Sequence, residues 1–265
     1  MPYAIFQCKP RPGVNEASNC TDLMAELKLL VHGQYFAESF AQRAQTYGVR
    51  IPGKPCLIAF DSFAHWGLDI RWNTRGAFVG TVTNTWLDDA SSLVFETFLA
   101  APLLDMSDLY TERKFSGSTT AGHSIDVVGS AIDAYAHHVL VDSNGTLLLT
   151  DLQGMSSQLR SGVLIIAPLS GVVGPNQSVI LFDPQAQSYV NCSRSAMLIL
   201  TISLDRQAKD TGFWDGGSAE IRAWQGAHKC NELCIRLKLK AGRGPLRIGF
   251  SQTRWAVDCF SWLML

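Results

Sequence analysis

Residues 213–239 read FWDGGSAEIRAWQGAHKCNELCIRLKL, a stretch that combines a glycine pair with closely spaced histidine and cysteine residues. His228, Cys230 and Cys234 follow the spacing H-x-C-x-x-x-C. If a helix begins near residue 229, the two cysteines lie one turn apart on one face, and His228 reaches the same point. Two thiolates and an imidazole supply three of the four ligands of a tetrahedral zinc site. The alternative is a helix whose cysteines simply pack inward, since free cysteine is often buried.

A second stretch with candidate functional residues, AYAHHVLVDSNGTLLLTDLQG, occupies residues 134–154. Its DSNG sequence has the residue types that close hairpins, and a hydrophobic strand follows it. Asp151 and Gln153 alternate with apolar neighbours at the strand end, which predicts that both side chains point to one face. A carboxylate beside an amide suits a hard cation that prefers oxygen ligands. A polar rim on an ordinary hairpin is the alternative interpretation.

The order of four segments along the chain is informative. The run ending in DLQG is followed by LFDPQAQS, then by FWDGGSAE, and then by HKCNELCIRLKL. This series resembles the alpha-kinase family, the atypical protein kinases that include elongation-factor-2 kinase and myosin heavy chain kinase. The resemblance covers roughly the second half of the chain. It implies an α+β, two-lobed, protein-kinase-like fold with a structural zinc site in the C-terminal lobe.

The resemblance also implies a complete set of zinc ligands. Counted back without a gap from DLQG, His137 matches the first zinc histidine of the family. Together with His228, Cys230 and Cys234 it would form a closed site that leaves no position for water, which is typical of structural zinc. His138 has no such match, and we expect it at the surface or behind the ligands.

The reaction implied by the resemblance is transfer of the γ-phosphoryl group of ATP to a Ser or Thr hydroxyl of a protein. Asp151 would orient or deprotonate the acceptor hydroxyl, while Gln153 and Asp183 would hold Mg²⁺. Asp183 must then fold back beside Asp151 across residues 154–182. Two aspartates held close without a cation repel each other, which predicts a raised pKa for at least one carboxyl group. The implied cofactors are ATP, Mg²⁺ and structural Zn²⁺.

Five residues are candidates for nucleotide binding. Lys9 is the only lysine near the predicted strand YAIFQCK, although a solvated loop lysine is the alternative. Glu96 and Leu99 mark the expected hinge, whose backbone would hydrogen-bond the adenine edge; a plain core strand is the alternative. Gly216 and Gly217 correspond to the family's glycine-rich loop near the substrate and phosphates.

The first half of the chain fits the amino-terminal lobe of such a kinase. Residues 3–9 alternate as a short strand, and residues 21–47 form the clearest predicted helix. Thr21 or Asp22 can cap this helix, Gly48 ends it, and Gly33 can bend or split it. We assign residues 1–98 to an N-terminal lobe that lacks the family's first strands, 99–240 to a C-terminal lobe and 241–265 to a tail.

A further helix is predicted within residues 119–138, where Ile125, Val128, Ile132 and Tyr135 share one face. Two apolar stretches, 155–180 and 189–210, interrupt the family pattern. If these stretches were exposed to solvent, they would promote aggregation. They are interpreted either as extra packed elements or as spurious sequence between intact motifs.

Composition limits the other function classes. With 22 basic and 23 acidic residues, the 265-residue chain has a net charge of −1, which argues against a nucleic-acid partner. No run of 18 uncharged apolar residues predicts a membrane span, and the start does not resemble a signal peptide. Seven cysteines without such a signal favour reduced thiols and metal binding, and a cytoplasmic protein.

The sequence therefore predicts a protein serine/threonine kinase of the alpha-kinase type that acts on a protein substrate. The competing hypothesis is a catalytically inactive, zinc-stabilised pseudokinase or scaffold. The missing first strands, the unplaced lysine and the shortened glycine loop favour this second hypothesis.

Overall fold

The computed structural model describes residues 2–49, 68–82, 93–104, 110–157, 178–188 and 214–240. Within these ranges the elements follow the order β1 (Tyr3–Phe6), α1 (Glu16–Thr46), β2 (Asp69–Trp72), β3 (Phe78–Thr81), β4 (Thr97–Pro102), β5 (Tyr110–Lys114), α2 (Val127–Asp142), β6 (Leu147–Thr150), β7 (Gln153–Ser157), β8 (Ser178–Phe182), β9 (Gln185–Ser188), α3 (Ser218–Ala227) and α4 (Glu232–Arg236). None of the described helices is both long and apolar enough to span a membrane.

The described strands form three sheets. One has the order β1-β4-β3, the second has the order β2-β8-β7-β5, and β6 pairs with β9 alone. All pairs are antiparallel except β2 with β8, which is parallel. A lobe boundary at residue 98 would divide β4, and β2 joins the sheet built mainly by the second half of the chain.

The long helix α1 confirms the clearest element predicted from the sequence, but it begins earlier. Asn15 is its N-cap, and its side chain exchanges capping-box hydrogen bonds with Ser18. Thr21 instead lies inside the helix, where its hydroxyl donates to the carbonyl of Ala17. The helix ends at Thr46, and Gly48 follows with a φ of +61°, a conformation that glycine adopts at little cost.

Gly33 does not split α1, which is continuous from Glu16 to Thr46, and it allows close packing against Trp72. A Cβ atom at this position would lie 2.5 Å from Cε2 of Trp72. The Trp72 indole N–H donates to the Tyr135 hydroxyl at 2.9 Å, and that hydroxyl donates to the Gly33 carbonyl at 2.7 Å. This buried chain of hydrogen bonds joins α1, β2 and α2.

Helix α2 confirms the predicted helical face in part. Val128, Ile132 and Tyr135 are buried in the core. Ile125 is fully exposed, so its assignment to this face was wrong: Asp126 caps the helix, and Ile125 lies outside it. After α2 the DSNG turn leads from a helix into a strand, and therefore does not close a β-hairpin.

The apolar stretch 155–180 is structured at both ends. Residues 155–157 belong to β7 and residues 178–180 to β8, which pair with each other. Met155 is 3% exposed and Val179 is fully buried, so these ends are part of the packed structure and not spurious sequence. Residues 158–177 and the whole stretch 189–210 lie outside the described residues.

Candidate active site and metal centre

Two aspartates occupy the points where the chain passes from one sheet to another. Asp151 lies between β6 and β7, and Asp183 lies between β8 and β9. Because β6 pairs with β9 and β7 pairs with β8, these two transitions lie side by side. Both residues have left-handed backbones, with φ values of +52° and +51°, a region that aspartate tolerates better than most residues.

This geometry corrects the argument from alternation. The strand is interrupted at residues 151–152, so Asp151 and Gln153 do not share the face of one continuous strand. Gln153 instead opens β7 opposite Phe182, the residue before Asp183. Its side-chain Nε2 donates to Asp183 Oδ2 at 2.6 Å. The expected return of Asp183 to the Asp151 region is confirmed.

The backbone around Asp151 is held by residues 115–117. The Asp151 N–H donates to the Gly117 carbonyl at 3.0 Å, and the Leu152 N–H donates to the Ser116 hydroxyl at 3.0 Å. The Phe115 N–H donates in turn to the Leu152 carbonyl at 2.7 Å. These contacts fix a strained turn from the neighbouring chain segment.

Lys114, the last residue of β5, forms an ion pair with Asp151. Its Nζ atom lies 2.5 Å from Asp151 Oδ1. The sequence alone did not indicate this residue, because a lysine at the end of the charged run YTERK resembles a solvated strand edge. The structure therefore supplies a cation beside the predicted catalytic carboxylate.

A raised carboxyl pKa near this ion pair agrees with the sequence-based expectation. Burial, and next the negative charge of Asp151, raise the pKa of Asp183, although its side chain also reaches solvent. Glu26 on α1 is a further member of this region that the sequence did not indicate. Burial and the charge of Asp183 raise the pKa of Glu26 to about 7.

The residues at this edge fit a magnesium ion chemically. Gln153 uses its Nε2 as donor to Asp183, so its carbonyl oxygen remains available as a neutral ligand. Asp183 contributes a carboxylate, and Mg²⁺ prefers such oxygen ligands. A cation would also reduce the repulsion between Asp151 and Asp183.

The four predicted zinc ligands converge. The ligand atoms of His137, His228, Cys230 and Cys234 all lie within 4.8 Å of one another. Two sulfur–nitrogen distances, Cys230 to His137 Nδ1 and Cys234 to His228 Nε2, are each 3.7 Å. Ligands at usual zinc bond lengths stand about 3.6 Å apart at the corners of a tetrahedron. The donor set and its spacing therefore fit zinc.

Local structure positions these ligands. Asn231 caps α4 by accepting the Cys234 N–H at 3.0 Å, and its amide donates to the Ser130 carbonyl of α2 at 2.7 Å. The His228 ring stacks on Trp224 with centroids 4.4 Å apart. One asparagine thus ties the cysteine helix to the helix that carries His137.

In the metal-free protein, burial keeps one of these ligands neutral and another protonated. Burial, followed by the charge of His137, lowers the pKa of His228 to about 4, which leaves the imidazole neutral at pH 7. Burial raises the pKa of the Cys234 thiol to about 12. Since zinc binds the thiolate, ion binding at Cys234 would release a proton.

His138 is not at the surface, which corrects one part of the expectation. It is fully buried between α2 and α1, where its Nε2 lies 3.1 Å from the Ser39 hydroxyl. The Ser39 hydroxyl donates to the Asp142 carboxylate at 2.7 Å. His138 is therefore a helix-packing residue.

Lys9 is the lysine that the sequence suggested for phosphate binding. It is exposed and lines a cavity of about 330 Å³ together with other residues of the first sheet region, namely Ile5, Gln7, Cys8, Pro10, Leu93 and Val94. Asp151, Gln153 and Asp183 do not line this cavity. A role of Lys9 in holding phosphates stays a prediction.

The predicted hinge residues lie at and within β4. Leu99 is fully buried in the middle strand, with Phe6 of β1 on one side and Val79 of β3 on the other. The Glu96 N–H donates to the Glu16 carboxylate at 2.8 Å, and the Glu96 carbonyl accepts the Val82 N–H at 3.0 Å. Adenine could accept the Glu96 N–H only by displacing the Glu16 carboxylate, and the hinge assignment stays a prediction.

The Gly216–Gly217 turn leads into α3. Gly217 is the N-cap of that helix and has a φ of +73°, which a side chain would strain. The turn follows the buried Asp215, whose carboxylate accepts the Gly217 N–H at 2.7 Å. The sequence pointed to the glycines, but not to the aspartate that holds them.

Comparisons with known proteins identify the family and the fold. The sequence profile of the alpha-kinase family matches residues 14–234. The apoenzyme alpha-kinase domain of myosin-II heavy chain kinase A has 16% identity and a TM-score of 0.50, and the match covers 88% of this chain and 61% of that one. Its complex with AMP has 15% identity and a TM-score of 0.50, with 88% and 64% covered.

These structures support the α+β alpha-kinase fold, and the chain spans less than two thirds of their length. Among curated protein sequences no significant match is found. The profile match extends over most of the chain and includes the two aspartate turns and all four cluster residues. The chain belongs to the alpha-kinase family.

Proposed function

We propose that this chain is a protein kinase that transfers the γ-phosphoryl group of ATP to a Ser or Thr hydroxyl of a protein substrate. The observation that carries the proposal is the pair of adjacent turns holding Asp151 and Asp183. Lys114 is bonded to the first aspartate and Gln153 to the second. Phosphoryl transfer depends mainly on positioning the reactants and neutralising charge. The two fixed carboxylates, the amide and the lysine are side chains that can do both.

Asp151 is the proposed proton acceptor. The acceptor oxygen forms a bond to the γ-phosphorus while the bond from that phosphorus to the β–γ bridging oxygen breaks, and ADP leaves. The hydroxyl proton passes to the Asp151 carboxylate. Lys114 orients this carboxylate, and the hydrogen bond from Asp151 N–H to Gly117 fixes its backbone.

Asp183 and Gln153 are the proposed magnesium ligands. When bound, Mg²⁺ neutralises charge on the phosphates and favours their in-line displacement. The Gln153–Asp183 hydrogen bond holds both side chains in one place before an ion arrives. A neutral amide beside a carboxylate provides oxygen ligands without adding a further negative charge against the phosphates.

The cluster of His137, His228, Cys230 and Cys234 is the proposed structural zinc site. Four protein ligands complete a tetrahedron and leave no open position for a reacting water. His137 and Cys234 are buried, while Cys230 is exposed. Such an ion would fasten α2 to the segment that carries α3 and α4.

A non-catalytic scaffold is the second candidate function. Two observations favour it: Asp151, Gln153 and Asp183 do not line the cavity that Lys9 lines, and the Glu96 N–H already donates to the Glu16 carboxylate. A scaffold of this kind would keep the zinc-stabilised fold but would not bind or turn over MgATP.

Two measurements on the purified zinc-loaded chain separate the candidates. A kinase should show a thermal shift with MgATP and should transfer ³²P to a degenerate Ser/Thr peptide library. Asp151→Ala should abolish transfer without loss of the fold. Asp69→Ala is the control: it removes an exposed carboxylate paired with Arg71 and should leave transfer intact. Transfer that survives Asp151→Ala in a clean preparation would show that the assigned role is wrong. Absence of both signals in the unaltered chain would favour the scaffold.

A further inference from the structure

Three segments of the candidate site meet at two buried polar side chains, Gln187 and Asp215, which are 1% and 2% exposed. We infer that these two are positioning residues for the proposed phosphoryl transfer. They hold the Gly216–Gly217 turn against the segments that carry Asp151 and Asp183. The inference rests on the proposed function, and it assigns roles to two residues that are neither the proposed proton acceptor nor metal ligands.

Asp215 ties the glycine turn to the end of β9. Its Oδ1 accepts the Ser188 N–H at 3.0 Å and the Gly217 N–H at 2.7 Å, while its Oδ2 accepts the Ser188 hydroxyl. Hydrogen bonds to a carboxylate are stronger than those between neutral groups. One buried side chain therefore sets the position of the turn relative to the strand.

Gln187 connects the same turn to the segment beside Asp151. Its Oε1 accepts the Gly216 N–H, and its Nε2 donates to the Ser118 carbonyl at 3.3 Å. Only a side chain that both accepts and donates can make this bridge, which an amide does and a carboxylate does not. Losing it would free the Gly216 N–H and the Ser118 carbonyl, and the glycine turn would no longer be tied to the segment beside Asp151.

The bridge reaches both aspartates through short covalent and hydrogen-bonded paths. Ser118 directly follows Gly117, whose carbonyl accepts the Asp151 N–H at 3.0 Å. On the other side, β9 begins at Gln185, after the turn formed by Asp183 and Pro184. A displacement of the glycine turn is therefore transmitted to the backbone of the proposed proton acceptor and of the proposed magnesium ligand.

The kinetic test uses Gln187→Met in the zinc-loaded chain with the degenerate Ser/Thr peptide library. We expect kcat to fall about 10-fold or more, because small misplacements of reacting groups are costly, while the KM for MgATP changes less than about 3-fold. Gln34→Met is the matched control: this glutamine also accepts a backbone N–H, from Trp72, but joins α1 to β2. The control should keep the kcat of the unaltered chain.

A conservative variant separates positioning from general destabilisation. Asp215→Asn keeps one oxygen that can accept the two N–H donors, and its amide can donate to the Ser188 hydroxyl in the reverse direction. It should retain most of the transfer rate, whereas Asp215→Ala should lose it. If Asp215→Ala does not fold, Gln187→Met and Asp215→Asn still carry the test.

Hydrogen exchange tests the mechanical link without any turnover. In Gln187→Met, backbone N–H groups of Gly216 and Asp151 should both exchange faster, while those in the middle of α1 stay unchanged. Faster exchange at Gly216 with unchanged exchange at Asp151 would overturn the coupling. An unchanged kcat in Gln187→Met would overturn this inference alone, whereas no transfer by the unaltered chain would overturn it together with the proposed function.

Discussion

The Nζ atom of Lys114 lies 2.5 Å from Oδ1 of Asp151, which joins the end of β5 to the turn between β6 and β7. The Asp151 side chain is only 10% exposed, while that of Lys114 is 57% exposed. The lysine thus approaches a nearly buried carboxylate from the solvent side and offsets the cost of burying its charge. This contact makes the position of the carboxylate depend on a strand distant in sequence.

Lys114→Met should lower the kcat of phosphoryl transfer by about 10- to 100-fold, because the carboxylate loses the group that orients it. The variant should still fold but unfold at a lower temperature, because the nearly buried Asp151 carboxylate loses the cation that offsets its burial. Peptide phosphorylation and thermal unfolding of the same preparation check both points. Arg75→Met, at an exposed loop position, is the control and should leave the kcat and the unfolding temperature unchanged. Equal rates for Lys114→Met and the unaltered chain would contradict the assigned role.

Cys234→Ala should abolish cooperative folding, because the binding energy of a structural metal site is part of the folding energy. The measurement is the thermal unfolding transition together with the zinc content of the purified chain. Cys20→Ala changes a cysteine outside the cluster, so it should keep both the transition and the metal. A stoichiometric zinc content in Cys234→Ala with an unaltered transition would argue against the site.

Gly33→Ala should destabilise the protein by about 1–3 kcal/mol, the usual cost of overpacking, because the new Cβ atom would overlap the Trp72 indole. Gly226→Ala offers a matched comparison within α3, since no atom lies within 4 Å of the added Cβ. Because alanine is a better helix former than glycine, this second change should stabilise by up to about 1 kcal/mol. Urea unfolding of both variants checks the opposite signs.

Glu26 should make the stability of the zinc-loaded chain, measured without Mg²⁺, fall as the pH rises from about 4.5 to about 7. Over this range the folded state binds the Glu26 proton more tightly than the unfolded state does, so deprotonation favours unfolding. The full effect is at most roughly 3 kcal/mol, from a raised pKa of about 7 against 4.5. Urea unfolding at several pH values should show that Glu26→Gln removes this fall in the free energy of unfolding.

Glu38→Gln is the control for the pH series, because Glu38 is an exposed residue of the same helix. It should preserve the pH dependence of the unaltered chain. A Glu26→Gln variant with that same dependence would show that another group titrates.

Addition of Mg²⁺ should also reduce the loss of stability with rising pH in the unaltered chain, since the ion would offset the charge of Asp183 that acts on Glu26.

Local sequence determined much of the secondary structure and the metal cluster. Helix α1, the face of α2 through Val128 and Ile132, and the short spacing from His228 to Cys234 depend on neighbours along the chain. Periodicity and helical geometry place such residues without knowledge of distant partners. Where the prediction failed locally, at the start of α1, a capping residue further upstream formed the better set of hydrogen bonds.

The resemblance of DLQG and DPQ to family motifs indicated Asp151, Gln153 and Asp183, but not how they meet. Alternation along one strand was the wrong reason, because the chain changes sheets at both aspartates. Their proximity follows from the pairing of β6 with β9 and of β7 with β8. Such pairing is fixed by contacts across the sheets, and no local pattern records it.

Sequence by itself therefore determined the family, the main helices and the residue types of both candidate sites. Only the tertiary structure decided that Lys114 pairs with Asp151, that Glu26 adds a third carboxyl group, and that Asp215 and Gln187 hold the glycine turn. The physical reason is that a buried charge or amide must find its partners wherever the fold brings them. Those partners come from strands and helices far apart in the chain, so their choice depends on packing rather than on sequence spacing.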